Sequence, residues 1–252
     1  MNENTSYVNM AYVYDALTED VEYSKRVSYV KSLIDKHLCR EPDYICDLGC
    51  GTGTVCRLLA DAGYECIGID SSEDMLSVAS QKNNDNKIMY LNQDITEFEL
   101  YGTVDVFISL LDTINYLTED EDLNKLFALV SNYLNYNGVF IFDINTLHKF
   151  QDVLGNNTYV YEKDNIFYSW ENYFEDEFLD FNLEFFVKEN DNLYRRFTEQ
   201  HTQRYYSLDM FEEVCTKYGL SVEAVYSDLS FNQPSSVDER VFLVVKKISD
   251  IS

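Results

Sequence analysis

The chain has 252 residues, of which 46% are hydrophobic and 15% aromatic, enough for a packed core in one elaborated domain or in two small ones. It carries 19 lysine and arginine residues against 45 aspartate and glutamate residues, a net charge of −26. This charge repels the phosphates of nucleic acids and anionic membranes, so it argues against both as partners. It does not by itself specify a cationic substrate.

The sequence shows no apolar run of about 18 residues and no signal peptide, so we expect a cytoplasmic protein. Its six cysteines include no Cys-x-x-Cys pair, and its three histidines do not cluster. Neither a zinc site nor a redox dithiol is predicted, and we expect no bound metal.

A helical stretch over 21–39 precedes the most informative segment, an apolar strand at 44–48 that runs into Gly49, Gly51 and Gly53. Glycines at alternate positions let the backbone approach a ligand without obstruction by Cβ atoms. A helix starts behind them, and its unpaired N–H groups suit an anionic group. The segment predicts the ligand-binding corner of an α/β nucleotide-type fold.

A second apolar strand at 65–70 ends in Asp70, near the spacing of about 20 residues at which such folds place a carboxylate for a ribose diol. The glycine spacing separates two cofactors. A dinucleotide fingerprint, Gly-x-Gly-x-x-Gly, requires glycine where this chain has Thr54. An NAD-dependent oxidoreductase is therefore only an alternative interpretation.

The segment from Asp47 to Gly53 reads Asp-Leu-Gly-Cys-Gly-Thr-Gly. It matches, at each fixed position, the first motif of the class I S-adenosylmethionine-dependent methyltransferases, Asp-x-Gly-x-Gly-x-Gly, and the chain resembles this family. The resemblance is strong over 40–145 and in pattern only over 207–247. It implies S-adenosylmethionine as the cofactor and methyl transfer as the reaction.

Further apolar strands are predicted at 88–91, 104–108 and 139–143, and the helix before the last of them should end at Asn137-Gly138. Strands that alternate with helices favour a parallel sheet covered on both faces. A helix after Ser207 and two closing strands complete the expected fold, an α/β, Rossmann-like, seven-stranded methyltransferase sheet.

Between 158 and 206 the apolar residues instead alternate in twos, which predicts an inserted antiparallel β-meander of three to four strands. We assign 1–150 and 207–252 to the S-adenosylmethionine-binding domain and 151–206 to the inserted subdomain. Similarity to small-molecule N-methyltransferases, such as glycine N-methyltransferase and nucleotide-sugar amine dimethyltransferases, implies that the insertion covers the active site.

The resemblance also assigns site residues, with ordinary packing or turn formation as the alternative for most of them. Reacting groups should lie in the loop after the fourth strand, where Asp112 could orient or deprotonate an amine. The catalytic candidates are Asp112, Asn115 and Tyr116. The predicted cofactor contacts are Tyr12 and Tyr14 as a lid, Asp47, Gly49, Cys50, Gly51, Gly53, Asp70, Ser71, Met75, Asp94, Ile95 and Leu110.

The predicted function is transfer of a methyl group to a small molecule, and the acceptor we expect is an amine. A non-catalytic regulatory protein that binds S-adenosylmethionine would carry the same motifs and is the alternative. A closed aromatic cavity beside the cofactor would favour the enzyme, and an occluded one the regulator. The sequence leaves open whether the protein forms a homodimer.

Overall fold

The structure is a computed structural model and describes Tyr14, Thr18 and residues 21–83, 85–190 and 193–249. Helices and strands alternate through its first half. In chain order these elements are α1 (Tyr23–His37), β1 (Tyr44–Leu48), α2 (Thr54–Asp61), β2 (Glu65–Asp70), α3 (Glu73–Lys82), β3 (Ile88–Asn92), β4 (Val104–Ser109), a 3-10 helix (Thr113–Tyr116), α4 (Asp120–Tyr133) and β5 (Leu134–Asn145).

The second half is mostly strand. Its elements are a short π-helix (Lys149–Leu154), β6 (Thr158–Lys163), β7 (Ile166–Glu175), β8 (Phe178–Asn190), β9 (Leu193–Arg204), α5 (Leu208–Lys217), β10 (Leu220–Ser227) and β11 (Arg240–Lys247). No helix in the described part of the chain is long and apolar enough to cross a membrane.

Seven strands form one sheet in the order β10-β11-β5-β4-β1-β2-β3. The five strands of the first half pair in parallel, whereas β11 runs antiparallel to β5 and to β10. Because parallel strands share a direction, the carboxyl ends of β1, β2 and β4 lie along one edge, where ligands bind in open α/β sheets. The predicted seven-stranded sheet is confirmed.

Hydrophobic residues cover this sheet on both faces. On one face α1 and α2 pack through residues such as Leu33 and Leu59, and on the other α4 and α5 pack through Phe127 and Phe211. All six residues of β4 are buried, with Val104 and Phe107 in one cluster and Val106 and Ile108 in the other. A strand buried on both faces needs mostly apolar residues, and its two polar ones, Asp105 and Ser109, are hydrogen-bonded.

The remaining four strands form a separate antiparallel sheet in the order β6-β7-β8-β9, which confirms the predicted meander. Alternate residues of β8, from Leu179 to Val187, are buried in its own hydrophobic cluster. Phe150 of the π-helix completes this cluster from outside the sheet. Phe181 of β8 pairs in register with His201 of β9.

The prediction that α4 ends at Asn137-Gly138 is wrong. The helix ends at Tyr133, and β5 begins at once with Leu134, which is fully buried and pairs with Val104. Asn137 has a φ of 62°, and the register between β4 and β5 shifts around it. Asn and Gly therefore mark an irregularity inside a strand here and not a helix end.

Candidate active site

A cavity of about 610 Å³ opens at the edge where β1, β2 and β4 end. Its volume lies within the range of about 300–1,000 Å³ that is usual for small-molecule sites. Its lining includes two groups of residues. The cofactor wall consists of Asp47, Gly49, Cys50, Gly51, Asp70, Ser71, Met75, Asp94 and Ile95; the sheet wall consists of Phe181, Leu183 and His201.

The glycine turn belongs to the cofactor wall, and its three glycines have different reasons for being glycine. All three have positive φ, at 77°, 53° and 73°. A Cβ atom on Gly49 would lie 2.4 Å from Thr113 Cγ2, and one on Gly53 would lie 2.2 Å from Tyr90 Oη. A Cβ atom on Gly51 would meet nothing within 4 Å. Gly51 is therefore where a ligand can approach the backbone.

Asp70 holds this turn against the start of α3. Its Oδ2 accepts a hydrogen bond from Gly51 N at 2.8 Å, and its Oδ1 accepts one from Ser72 N at 2.9 Å. Burial raises the pKa of the carboxyl, and these two backbone donors partly oppose that shift. A carboxylate at this place both shapes the turn and presents negative charge to the cavity.

Asp47 is the penultimate residue of β1 and is buried, with an exposed fraction of 3%. The thiol of Cys56 donates to its Oδ2 at 3.4 Å. Burial raises the pKa of Asp47 to about 7, although the bond from Cys56 acts in the opposite direction. A cationic group bound in the cavity would favour the ionised form of this carboxyl.

Asp112 lines the cavity as predicted, but its carboxylate is already bonded. Arg240 donates to its Oδ1 at 2.6 Å, and Gln203 Nε2 donates to its Oδ2 at 2.5 Å. Both carboxylate oxygens are thus already engaged, one by a guanidinium and the other by an amide. The geometry therefore favours a positioning role for Asp112 over the predicted role as a base.

Asp143, at the end of β5, fixes the loop that carries Asp112. Its carboxylate accepts hydrogen bonds from Leu111 N at 3.1 Å, Asp112 N at 2.7 Å and Arg240 Nη1 at 2.5 Å. Leu111 and Asp112 both have positive φ, and these bonds hold that conformation. Burial lowers the pKa of Arg240, but Asp143 and Asp112 outweigh this effect and raise it overall.

The other two catalytic candidates differ. Asn115 is fully buried and lies outside the cavity lining, so the structure gives its predicted catalytic role no support. Its side chain donates to Arg204 O at 2.8 Å and accepts from Asn145 N at 2.9 Å, so it joins β9 to β5. Tyr116 lines the cavity, and its ring lies 6.5 Å from Phe181 and 5.8 Å from His201.

The structure brings most of the predicted cofactor contacts together. Asp94 Oδ1 accepts from the Thr96 backbone and hydroxyl, both at 2.7 Å, so this aspartate also forms the turn that was its alternative role. Gly53 does not line the cavity, so the structure gives its predicted cofactor contact no support, and Tyr12 lies outside the described residues. The predicted residues that do line it, besides the catalytic candidates, are Tyr14, Asp47, Gly49, Cys50, Gly51, Asp70, Ser71, Met75, Asp94, Ile95 and Leu110.

Several lining residues were not predicted. Thr113 closes over Gly49, and Arg240 reaches the cavity from the far end of the chain. The sequence could have pointed to Arg240, because it is a charged residue at the start of an apolar strand. Phe181, Leu183 and His201 had none, because alternation shows which residues share a face but not what that face covers.

A glycine turn with room at Gly51, acids at the ends of β1 and β2, and the strand order of the sheet define a class I S-adenosylmethionine-dependent methyltransferase. The residues fit this cofactor. Space beside the Gly51 backbone admits a ligand, and the carboxyls of Asp47, which is buried, and of Asp70, which is half-buried, suit its cationic and hydroxyl groups.

Comparison with known proteins agrees. A family model described as a methyltransferase domain matches residues 45–138. The chain is 31% identical over 249 residues to the putative methyltransferase YqeM of Bacillus subtilis (strain 168), covering 97% of this chain and 98% of YqeM. The chain belongs to this methyltransferase family.

Solved structures extend the likeness. The crystal structure of an S-adenosylmethionine-dependent methyltransferase from Clostridium acetobutylicum ATCC 824 matches with a TM-score of 0.87 and 32% identity, over 96% of this chain and 99% of that chain. The sugar N-methyltransferase KedS8 from Streptoalloteichus sp ATCC 53650 shares the fold, with a TM-score of 0.77 and 14% identity over 92% of each chain. The predicted enzyme class and cofactor are confirmed, and the NAD-dependent alternative is set aside.

Proposed function

We propose that this methyltransferase acts on a small-molecule acceptor and that the methyl group goes to an amine nitrogen. The observation that carries the proposal is the cavity itself, in which the sheet wall and the cofactor wall line one space of about 610 Å³. Such a volume is usual for sites that bind small molecules. KedS8, a sugar N-methyltransferase with this fold, supports an amine acceptor.

The bound cofactor supplies an electrophilic methyl group on a sulfonium. The chain has to align the acceptor with it, keep water out and leave the acceptor nitrogen deprotonated. Tyr14, Tyr116 and Phe181 are aromatic side chains on the cavity lining, and aromatic faces stabilise cationic groups without reacting with them. The carboxyls of the cofactor wall and the net charge of −26 favour cationic ligands over anionic ones.

Asp143 and Arg240 contribute to alignment by holding a loop of the site in one conformation. They fix the backbone of Leu111 and Asp112, and through Gln203 the same network reaches β9. Because β9 also carries His201, the network links the two walls. Alignment of two reactants can lower a barrier by roughly 7–11 kcal/mol, so such a brace matters for turnover.

The proposal is tested by incubating the purified protein with S-adenosylmethionine and matched pairs of acceptors, such as cyclohexylamine with cyclohexanol and glucosamine with glucose. Release of S-adenosylhomocysteine and the mass of the methylated product are measured. We expect turnover of amines and none of the alcohols. Methylation of the alcohols alone, or turnover of RNA or protein with none of the amines, would contradict the proposal.

The domain assignment stays a prediction with its own test. If residues 151–206 cover the acceptor, a substitution on the sheet wall should change acceptor turnover more than cofactor affinity. Titration calorimetry with S-adenosylmethionine gives the affinity, and the product assay gives the turnover. The reverse ranking would mean that the four-stranded sheet mainly supports the cofactor site.

A further inference from the structure

The charged residues on the cavity lining are almost all acidic. The chain has 19 lysine and arginine residues, and every one of them lies in the described part of the chain. Arg240 is the one member of this set that lines the cavity, whereas four carboxyls line it, those of Asp47, Asp70, Asp94 and Asp112. A cleft lined by charges of one sign concentrates their field and so favours ligands of the opposite sign.

The charge of Arg240 is already neutralised within the protein. Its Nη1 donates to Asp143 Oδ1 at 2.5 Å, and its Nη2 donates to Asp112 Oδ1 at 2.6 Å. Arg26, which lies 3.9 Å from Asp143, pairs with Asp228 at 2.9 Å. The cluster thus holds two guanidinium groups and three carboxylates and is negative overall. Drawing Arg240 out of it toward a ligand would unpair the fully buried Asp143, and unpairing a buried charge is strongly destabilising.

The backbone of the glycine turn does not supply the missing donors. Gly49 N and Cys50 N both donate to Ile69 O, at 2.8 and 3.0 Å. Gly51 N donates to Asp70 Oδ2 at 2.8 Å. These three amides are therefore already used inside the turn. A phosphate or carboxylate on the acceptor would face carboxyls, without a cation that is not already neutralised.

Outside the cofactor wall, the lining offers apolar and aromatic surface. Tyr116 lines the cavity and has an exposed fraction of 44%, so a ligand can reach its ring. That ring lies 6.5 Å from Phe181 and 5.8 Å from His201. Leu111 and Leu117 line the cavity as well. Such a surface suits an apolar ring and tolerates a cationic amine.

Resting on the amine acceptor proposed above, we infer that the acceptor is a free amine with an apolar ring and without a phosphate or carboxylate group. The acids of the lining attract its nitrogen, and the apolar surface takes its ring. This separates the chain from the enzymes that its sequence resembles, because glycine has a carboxylate and nucleotide-linked sugars have phosphates. An acceptor of either kind needs a cation, and the guanidinium on this lining is held by Asp112 and Asp143.

The first test compares para-aminomethylbenzamide with para-aminomethylbenzoate, which are alike in size and differ by one negative charge. Methylation with S-adenosylmethionine gives kcat/KM for each. Placing like charges together is costly, so we expect the benzoate to be at least about 100-fold poorer. The phosphate ester of tyramine should likewise be poorer than tyramine. Cyclohexylamine should be methylated more efficiently than glucosamine, whose hydroxyl groups would lie against apolar surface.

The second test adds the missing cation. Tyr116→Lys places an ammonium group on the lining, and Tyr116→Gln removes the ring without adding charge. We expect Tyr116→Lys to raise the kcat/KM of the benzoate relative to that of the benzamide about tenfold or more, and Tyr116→Gln to leave this ratio unchanged. Tyr136→Lys adds the same charge at an exposed position of β5 outside the lining, and it should also keep the wild-type ratio. Thermal unfolding and S-adenosylhomocysteine affinity report whether each variant is folded.

The outcomes separate the two proposals. If the wild type methylates the benzoate as efficiently as the benzamide, or glucosamine better than cyclohexylamine, this inference is wrong and the amine acceptor stands. If it methylates no amine, both proposals fail. A poor benzoate whose ratio folded Tyr116→Lys does not improve would also contradict the inference, because a missing cation would not be the cause. Should Tyr116→Lys fail to fold, the comparison in the wild type decides.

Discussion

The two walls of the cavity are built by different means. The cofactor wall uses backbone amides and short acids at the ends of β1 and β2, and its key contacts join residues about 20 positions apart, as between Gly51 and Asp70. The sheet wall uses side chains in the middle of β8 and β9, which reach the cavity through the register of an antiparallel sheet. One wall depends on a local turn, and the other on the placement of a whole sheet.

This difference predicts which property a substitution in each wall should change. A local turn is fixed by conformation, so substitutions there should alter stability and cofactor affinity together. A side chain on a sheet face is held by packing, so a substitution of similar size there should alter turnover and leave the fold intact. The following predictions test this separation, beginning with the largest expected effect.

Asp143→Ala should affect both walls at once, because Asp143 braces the loop between them. The change leaves two backbone N–H groups unbonded and removes one of the two carboxylates that neutralise the buried Arg240. Loss of one partner of a buried ion pair costs about 3–5 kcal/mol, and we expect that loss in urea unfolding.

Asp228→Ala is the matched control for this change. Asp228 pairs with Arg26 at 2.9 Å, but its side chain has an exposed fraction of 36%, so the cost should stay below about 1 kcal/mol. Equal losses for the two variants would show that the Asp143 network is not a brace.

Asp47→Asn tests the cofactor wall through the pH dependence of folding stability. The folded carboxyl has a pKa of about 7 against 3.8 for the ordinary group, so the folded state binds the proton more tightly. That stabilisation is complete below pH 3.8 and is lost as pH rises through 7, to an upper limit of about 4 kcal/mol. The variant should lack this loss.

Urea unfolding of the ligand-free protein at pH 5 and pH 8 measures the effect of Asp47→Asn. Stability relative to the wild type should increase between the two pH values. Asp35→Asn, on an exposed position of α1, should show no such increase. A relative stability that is the same at both pH values would mean that Asp47 is hydrated in solution.

Gly49→Ala and Gly51→Ala form a pair within the turn. Both place alanine at positive φ, which costs about 1–2 kcal/mol. Gly49→Ala adds the collision with Thr113 Cγ2, for about 1–3 kcal/mol more. Thermal unfolding should therefore rank the wild type above Gly51→Ala and Gly51→Ala above Gly49→Ala.

A second substitution checks the cause within this pair. Thr113→Ser removes the colliding methyl group, so it should recover part of the stability of Gly49→Ala and none of that of Gly51→Ala. The same modest cost for both glycine variants would mean that Thr113 moves aside freely.

Asp70→Asn should have the smallest of these effects on stability, together with a loss of cofactor affinity. Replacing one acceptor oxygen with an amide removes a charged hydrogen bond worth roughly 1.5–3 kcal/mol, or about 10- to 100-fold in affinity. Calorimetry with S-adenosylmethionine measures it. His201→Gln should bind the cofactor as the wild type does, and unchanged affinity in Asp70→Asn would limit Asp70 to shaping the turn.

The sequence determined the class of fold and most of the cofactor wall. Strand and helix periodicity, the spacing of Gly49, Gly51 and Gly53, and the acid at the end of β2 are local features, and local conformation follows from nearby residues. The turn and β2 therefore came together as predicted. The structure departs from the sequence predictions at two places, each for a physical reason. At Gly53 a Cβ atom would collide with Tyr90, and α4 ends where Leu134 pairs with β4.

Only the tertiary structure decided the sheet wall and the use of the acids. Asp112 looked like a base until Arg240, 128 residues away, was found on its carboxylate. Asn115 looked catalytic until Arg204 and Asn145 were found to bond its amide. His201 was one of three scattered histidines until β9 brought it to Tyr116. Long-range pairing sets these contacts, and a residue type states what it can bond but not which distant partner reaches it.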